Sequence, residues 1–277
     1  PGAPIVFKAE PRRSVNMNGF QLREDHVRIE GFNITTTAKG WKGGGIWVDS
    51  SHVEVVDNYF HDIQDVAVSC SWKEPWQTNI TIRDNRAYKC QFGFVIHGSD
   101  VLVEDNEVER VIRYGSGDAD YSRFFGSNIT FRGNYFHGSY ASEIGTAHTD
   151  GFQTFSNNGW GAQNVLIEKN IVHSMTQGVM LEGLLSDNSV PPAHQQVRDI
   201  TIINNVFRGG DIPAAWGVDC KEYVKNVQVL HNTFIDIMHH AAGFKDRSEG
   251  VVRNNIFVEG GSNYWAHTHQ GASVVGG

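Results

Sequence analysis

The sequence predicts an all-β protein, a right-handed parallel β-helix of about nine coils with loops inserted on one face. Three observations predict it. A phrase of alternating apolar residues ending in Asn recurs along the whole chain. Each phrase is followed, after a turn, by a second short apolar strand that often opens with Gly. No segment sustains a helical period.

The phrase reads Val53-Glu54-Val55-Val56-Asp57-Asn58, then Ile80-Thr81-Ile82-Arg83-Asp84-Asn85, and Val101-Leu102-Val103-Glu104-Asp105-Asn106. Ile129-Thr130-Phe131-Arg132-Gly133-Asn134 follows, and later copies end at Asn170, Asn205, Asn232 and Asn255, with Gly31 at the Asn position of a first variant. The copies lie 21 to 36 residues apart, which is solenoid spacing, and the long steps are read as insertions. Alternation with period two gives a strand with one buried face, and a stack of such turns buries a continuous column. Asn tolerates a left-handed backbone and bonds its counterpart in the next coil, so it is expected at the bend that ends each strand.

Aligning the second strands on their opening Gly places Val68, Phe94, Phe152, Val179, Val218 and Phe244 in one core column. Alternation then sends Ser69, Val95, Gln153, Met180, Asp219 and Lys245 outward, with Ser71, His97, Phe155, Glu182, Lys221 and Arg247 beyond them. In that register Asp246 points inward. The outward patch is flanked by three insertions: residues 113–125, 142–150 and 184–196. They bring Asp118, Asp120, Tyr121, Arg123 and His148 beside the patch, with Trp160 and Trp216 close in sequence. Insertions on a rigid solenoid build binding faces, and aromatic rings suit the apolar faces of sugars.

Composition sets the outer bounds. The 277 residues carry a net charge of -8 and no basic run, which excludes a phosphate-neutralising nucleic-acid binder. No apolar stretch reaches membrane-spanning length. Cys70, Cys90 and Cys220 are an odd set without a close pair, read as buried free thiols. Pro4-Ile5-Val6-Phe7-Lys8-Ala9 already reads as a strand. The expectation is one β-helix domain over residues 1–277, cropped at its N-terminus, secreted or at the cell surface, and monomeric.

The repeats and that opening strand resemble the right-handed β-helix carbohydrate-active enzymes, pectate-lyase-like and alginate-lyase-like proteins in particular. His148-Thr149-Asp150-Gly151 is similar to the Asn-Thr-Asp-Gly motif of polygalacturonases, which implies a catalytic role for Asp150. The Asp-Asp, Gly-His-Gly and Arg-Ile-Lys segments of that family are missing here.

Two chemistries fit the patch. Eliminative cleavage of a uronate polymer needs a base for the proton alpha to the carboxylate and cations to hold the charge that develops. Lys221 and Lys245 are the candidate bases, and Arg123 and Arg247 the candidate carboxylate holders, with Gln153, His148, Tyr121 and Trp216 as further substrate contacts. Asp118 and Asp120 are candidate Ca²⁺ ligands. A glycoside hydrolase would instead use Glu182 and Asp219, one coil apart and two residues out of step. That places their Cβ atoms roughly 8 Å apart, inside the inverting window of about 6.5–9.5 Å, with Asp150 as a third carboxyl. A non-catalytic glycan-binding or surface-structural β-helix is the third reading. Opposite charges in adjacent coils, such as Glu182 beside Lys221, are also what an ordinary cross-strand ladder looks like.

Overall fold

A computed structural model describes residues 3–38, 44–115, 117–157, 159–260, 264–268 and 272–276. Their strands join into one sheet whose strand–strand pairings are all parallel, wound as a parallel β-helix. The chain climbs through three ladders. The first holds the Asn phrases, from Ile5–Lys8 and Val27–Glu30 up to Glu249–Arg253 and Ser273–Gly276. A second ladder of short strands follows each Asn, among them Tyr59–His61, Arg86–Tyr88, Glu107–Glu109 and Tyr135–His137. The third holds the Gly-opening strands, such as Val66–Cys70, Asp150–Phe155, Gln177–Glu182 and Ala214–Cys220. Among the described residues the first ladder has eleven rungs, two more than the coils expected. The additional rungs lie before Gly31 and after Asn255, where the phrase lacks its Asn.

Alternation builds the core as expected. Ile29, Val55, Ile82, Val103, Phe131, Ile167, Ile202, Val229 and Val252 stand in register in successive rungs, and all are buried. Such a column is a set of identical nearest-neighbour interfaces, so each coil is held by the two beside it. Among the described residues no helix is long and apolar enough to cross a membrane. All three cysteines are free and buried, and burial pushes the Cys70 and Cys90 thiols up to about 12.

The Asn ladder runs from Asn58 to Asn255. Asn134 is typical: its Nδ2 donates to Val103 O and to Asn170 Oδ1, both at 2.9 Å. Its Oδ1 accepts from the backbone N–H of Asn106 at 3.1 Å and from the Asn106 side chain at 3.0 Å. Two details correct the sequence reading. The left-handed bend lies one residue before the ladder Asn, at Asp57, Asp84, Asp105, Gly133, Lys169, Asn204, His231 and Asn254. Gly31 is therefore the partner of Asp57 and shares its positive φ, while Phe32 occupies the Asn level and donates its N–H to Asn58 Oδ1.

The third ladder departs from expectation in two places. Val218 pairs with Ala242, and Phe244 pairs with Cys220, so the last strand is displaced by two residues from the Gly-on-Gly alignment. A two-residue shift keeps parity, so Phe244 remains in the core and Lys245 still faces outward. Lys245 nevertheless leaves the column of Asp219 and joins that of Lys221. Asp246 does not point inward; it is exposed in the turn that follows the strand. The second correction concerns Ser122–Arg132, one continuous strand that crosses from the third ladder to the first at Gly126. There φ is +123°, and a Cβ would stand 1.8 Å from Gly98 O, so only glycine fits. Arg123 is thus a strand residue of the outward column, not part of an inserted loop.

Candidate active-site groove

The outward columns of the third ladder form one continuous face. Val95, Arg123, Gln153, Met180 and Asp219 stand in register in successive coils. Two positions on, His97, Phe125 and Phe155 give way to Glu182, followed by Lys221 and Lys245. Several of these side chains are nearly covered: Gln153 is 4% exposed and Asp219 2%.

At the entrance to this ladder the chain places two carboxyl groups one above the other. Asp150 N donates to Asp120 Oδ1 at 2.9 Å. Each aspartate also meets the residue three positions ahead, which faces the groove. Arg123 Nε donates to Asp120 Oδ2 at 2.6 Å, and Gln153 Nε2 donates to Asp150 Oδ2 at 2.8 Å. Arg123 Nη2 reaches Asp118 Oδ2 at 2.7 Å, and its guanidinium lies 4.9 Å from the Phe92 ring centre.

Both aspartates are fully buried, and the electrostatics follow from that. Burial pushes Asp120 up to about 6, against the pull of Arg123. Asp150 is driven further up, first by burial and then by the charge of Asp120. Burial and mutual repulsion both favour a proton on the pair, with Arg123 opposing. Asp150 Oδ1 and Gln177 Oε1, on paired residues of adjacent coils, are both buried and have no hydrogen-bond partner among the described residues. A proton on Asp150 Oδ1 supplies the donor this pair of acceptors lacks.

The upper half of the groove is charged. Lys221 Nζ lies 3.2 Å from Glu182 Oε2, and Lys245 Nζ lies 3.5 Å from Asp219 Oδ2. Burial raises the Asp219 pKa, with Lys245 and then Lys221 opposing it. The lysines, about a third exposed, remain accessible from the groove. Trp216 is half-buried beside them, its ring 6.0 Å from Lys245 Nζ.

The lower half is aromatic. Trp72, His97, Arg123, Phe125, Phe155 and Trp160 line a recess of about 270 Å³. His97 stacks on Phe125 at 4.8 Å between ring centres, and burial holds its imidazole neutral by lowering its pKa to about 4.

The remaining candidates scatter. Tyr121 does not face the groove: it is completely buried, stacked on Phe136, with its hydroxyl 2.8 Å from Ser139 Oγ and close to the carbonyls of His173 and Ser174. It immediately precedes the strand Ser122–Arg132, so the strand's alternation does not set its direction. Arg247 sits in the exposed turn after the last described third-ladder residues of its coil, over Tyr223, not in the outward column. His148 is exposed just before Asp150. Asp118 and Asp120 are tied to the Arg123 guanidinium, so as arranged they do not fit a Ca²⁺ ion. Three ligand atoms do approach within 4.8 Å at Glu107, Glu109 and His137, on the second ladder, where Arg86 pairs with both glutamates. Sequence reasoning missed Phe125 and Trp72 as groove residues and Asp120 as the partner of Asp150. The repeated Asp-x-x-Arg and Asp-x-x-Gln spacing was the available signal.

The family model for the right handed beta helix region matches residues 13–115 and 76–276, and the chain belongs to that family. No curated protein sequence matches it significantly. Among solved structures it is similar to the A-module of mannuronan C-5 epimerase AlgE6 of Azotobacter vinelandii, with a TM-score of 0.59, 10% identity, and coverage of 98% of this chain and 88% of that one. It is similar to the alginate lyase of Paenibacillus sp. str. FPU-7, at a TM-score of 0.59 and 10% identity over 99% and 93% of the two chains. DFA-IIIase of Arthrobacter chlorophenolicus A6 in complex with GF2 gives 0.59 and 9% over 100% and 84%. At such identities the likeness is one of fold.

Proposed function

We propose that this protein is a carbohydrate-active enzyme that cleaves an acidic, uronate-containing polysaccharide laid along the third-ladder groove. The observation that carries the reading is the convergence on one face of two accessible lysines beside the carboxyl groups of Glu182 and Asp219. Eliminative cleavage uses both lysines. Lys245 or Lys221 takes the proton alpha to the uronate carboxylate; the electron pair left behind forms the new double bond as the bond to the leaving oxygen breaks. The other lysine, kept charged, favours the charge that builds on the uronate carboxylate. The fold-mates named for mannuronan and alginate act on uronates, which agrees with this choice.

A hydrolase is the second reading, favoured by one specific observation: Glu182 and Asp219 face the groove from adjacent coils, two residues out of step. Two carboxyl groups on either side of the scissile bond are what glycoside hydrolysis requires. Incubation with a panel of uronate polymers, with and without chelator, separates the readings. An unsaturated, ultraviolet-absorbing product identifies elimination; new reducing ends without it identify hydrolysis. Binding without either product overturns both.

A further inference from the structure

The two halves of the groove differ in chemistry, and the division falls between two adjacent coils. Phe155 and Glu182 are register partners, about 4.8 Å apart along the solenoid. Below that line the outward positions are His97, Phe125 and Phe155; above it they are Glu182, Lys221 and Lys245. We propose that the aromatic recess is a subsite for one uncharged sugar ring, so that the groove reads a polymer in which neutral and acidic units adjoin. This inference rests on the groove being a glycan site and adds the class of glycan.

Four features of the recess select an uncharged ring. Its walls are rings set at angles to one another: Phe125 meets Phe155 edge-on at 4.9 Å, and Trp160 stands 5.5 Å from His97. They present apolar surface to the C–H face of a sugar. The imidazole of His97 is neutral at physiological pH. The one cation on the lining, Arg123, is already bonded to Asp118 and Asp120 and is only 15% exposed. A uronate carboxylate placed there would give up its hydration for a guanidinium that is already paired, a loss that uncharged hydroxyls avoid. At about 270 Å³ the recess falls just below the range of ~300–1,000 Å³ typical of drug-sized sites, a size suited to one ring. The next unit of the chain then lies beside Gln153 and the charged half.

Isothermal titration calorimetry against two sets of polymers tests this. One set contains polymannuronate, polyguluronate and polygalacturonate; the other contains hyaluronan, unsulfated chondroitin, gellan and xanthan, in which uronates adjoin uncharged sugars. At least one mixed polymer is expected to bind on the order of 10-fold more tightly than every homouronan. Trp160→Ala should erase that preference, Trp160→Phe should restore most of it, and half-exposed Trp72→Ala should weaken it with the melting temperature unchanged. Equal affinity for homouronans, or wild-type preference in Trp160→Ala, overturns the proposal, as does a failure of all four mixed polymers to bind. Tight binding of a mixed polymer without cleavage keeps the subsite and removes the enzyme reading. Cleavage of a homouronan with the KM of Trp160→Ala unchanged does the reverse.

Discussion

At the scale of single residues the carboxyl pair makes the sharpest statement. Burial pushes Asp120 up to about 6, and burial with the charge of Asp120 raises Asp150 well above the usual aspartate range, about 3.9 in an unfolded chain. A carboxyl group whose folded pKa is raised holds its proton more tightly in the native state. Its effect on stability is therefore nil below about pH 4 and increasingly unfavourable as pH climbs through the folded pKa. Asp150→Asn keeps the shape, can accept from Gln153, offers an amide donor toward Gln177, and never ionises. Relative to wild type, its melting temperature should rise between pH 5 and pH 7.5. A variant that is equally destabilised at both values would show that no proton resides there. If the same proton serves the reaction, turnover of Asp150→Asn should drop by at least ~10²-fold while the fold stays intact. The lysines give an independent check. Lys245→Ala or Lys221→Ala should cost at least ~10²-fold in turnover if that lysine is the eliminative base. The Lys221–Glu182 pair is solvent-facing and contributes only about 0–1 kcal/mol, so the Lys221→Ala melting curve should barely move. Lys245→Ala leaves the buried Asp219 carboxyl without its cation and should lower the melting temperature, so its activity is read on the folded fraction. Full activity in both variants points to hydrolysis.

At the scale of the element, the Asn ladder shows why burial decides what a hydrogen bond contributes. Asn134→Ala strips acceptors from the Asn106 N–H and side-chain amide and donors from Val103 O and Asn170 Oδ1, all inside the solenoid. Each orphaned buried group costs about 1–3 kcal/mol, so a loss of at least ~3 kcal/mol is expected in denaturant titration. Asn128 makes similar side-chain bonds, with Asp100 at 2.9 Å and Asn164 at 2.6 Å, but in solvent, at a left-handed corner. Asn128→Gly suits that backbone and should change stability by no more than about 0.5 kcal/mol. Similar costs for the two would mean that the ladder is not a buried network. The ladder was legible in the sequence because its period repeats. The bend was not: Asp57-Asn58 offers two residues that both tolerate a positive φ, and only the backbone shows that the first adopts it.

At the scale of the molecule, the pattern of error follows the physics of a solenoid. Parity survives a two-residue slip, which is why Lys245 was placed on the correct face yet in the wrong column. Its coil has Gly243 where the others have an outward side chain, and the opening position falls at Ala241. The coil through Ser122-Arg123-Phe124-Phe125 was hidden because it lacks the opening Gly, and Asp120 and Asp150 meet only because thirty residues of chain return to the same corner. The next coil packs on its core side. Phe152 is fully buried and meets Phe131 at 5.1 Å and Phe136 at 5.3 Å between ring centres, directly behind the groove residues of the same coils. Phe152→Ala should cost about 3–5 kcal/mol. Because each coil leans only on its neighbours, the loss should be local. Hydrogen exchange should then show amides of Ser122–Arg132 and Asp150–Phe155 losing protection well before those of Lys225–Leu230, several coils away. Uniform loss along the whole chain would instead mark the solenoid as one cooperative unit, and substitutions behind the groove could then not be separated from the stability of the fold.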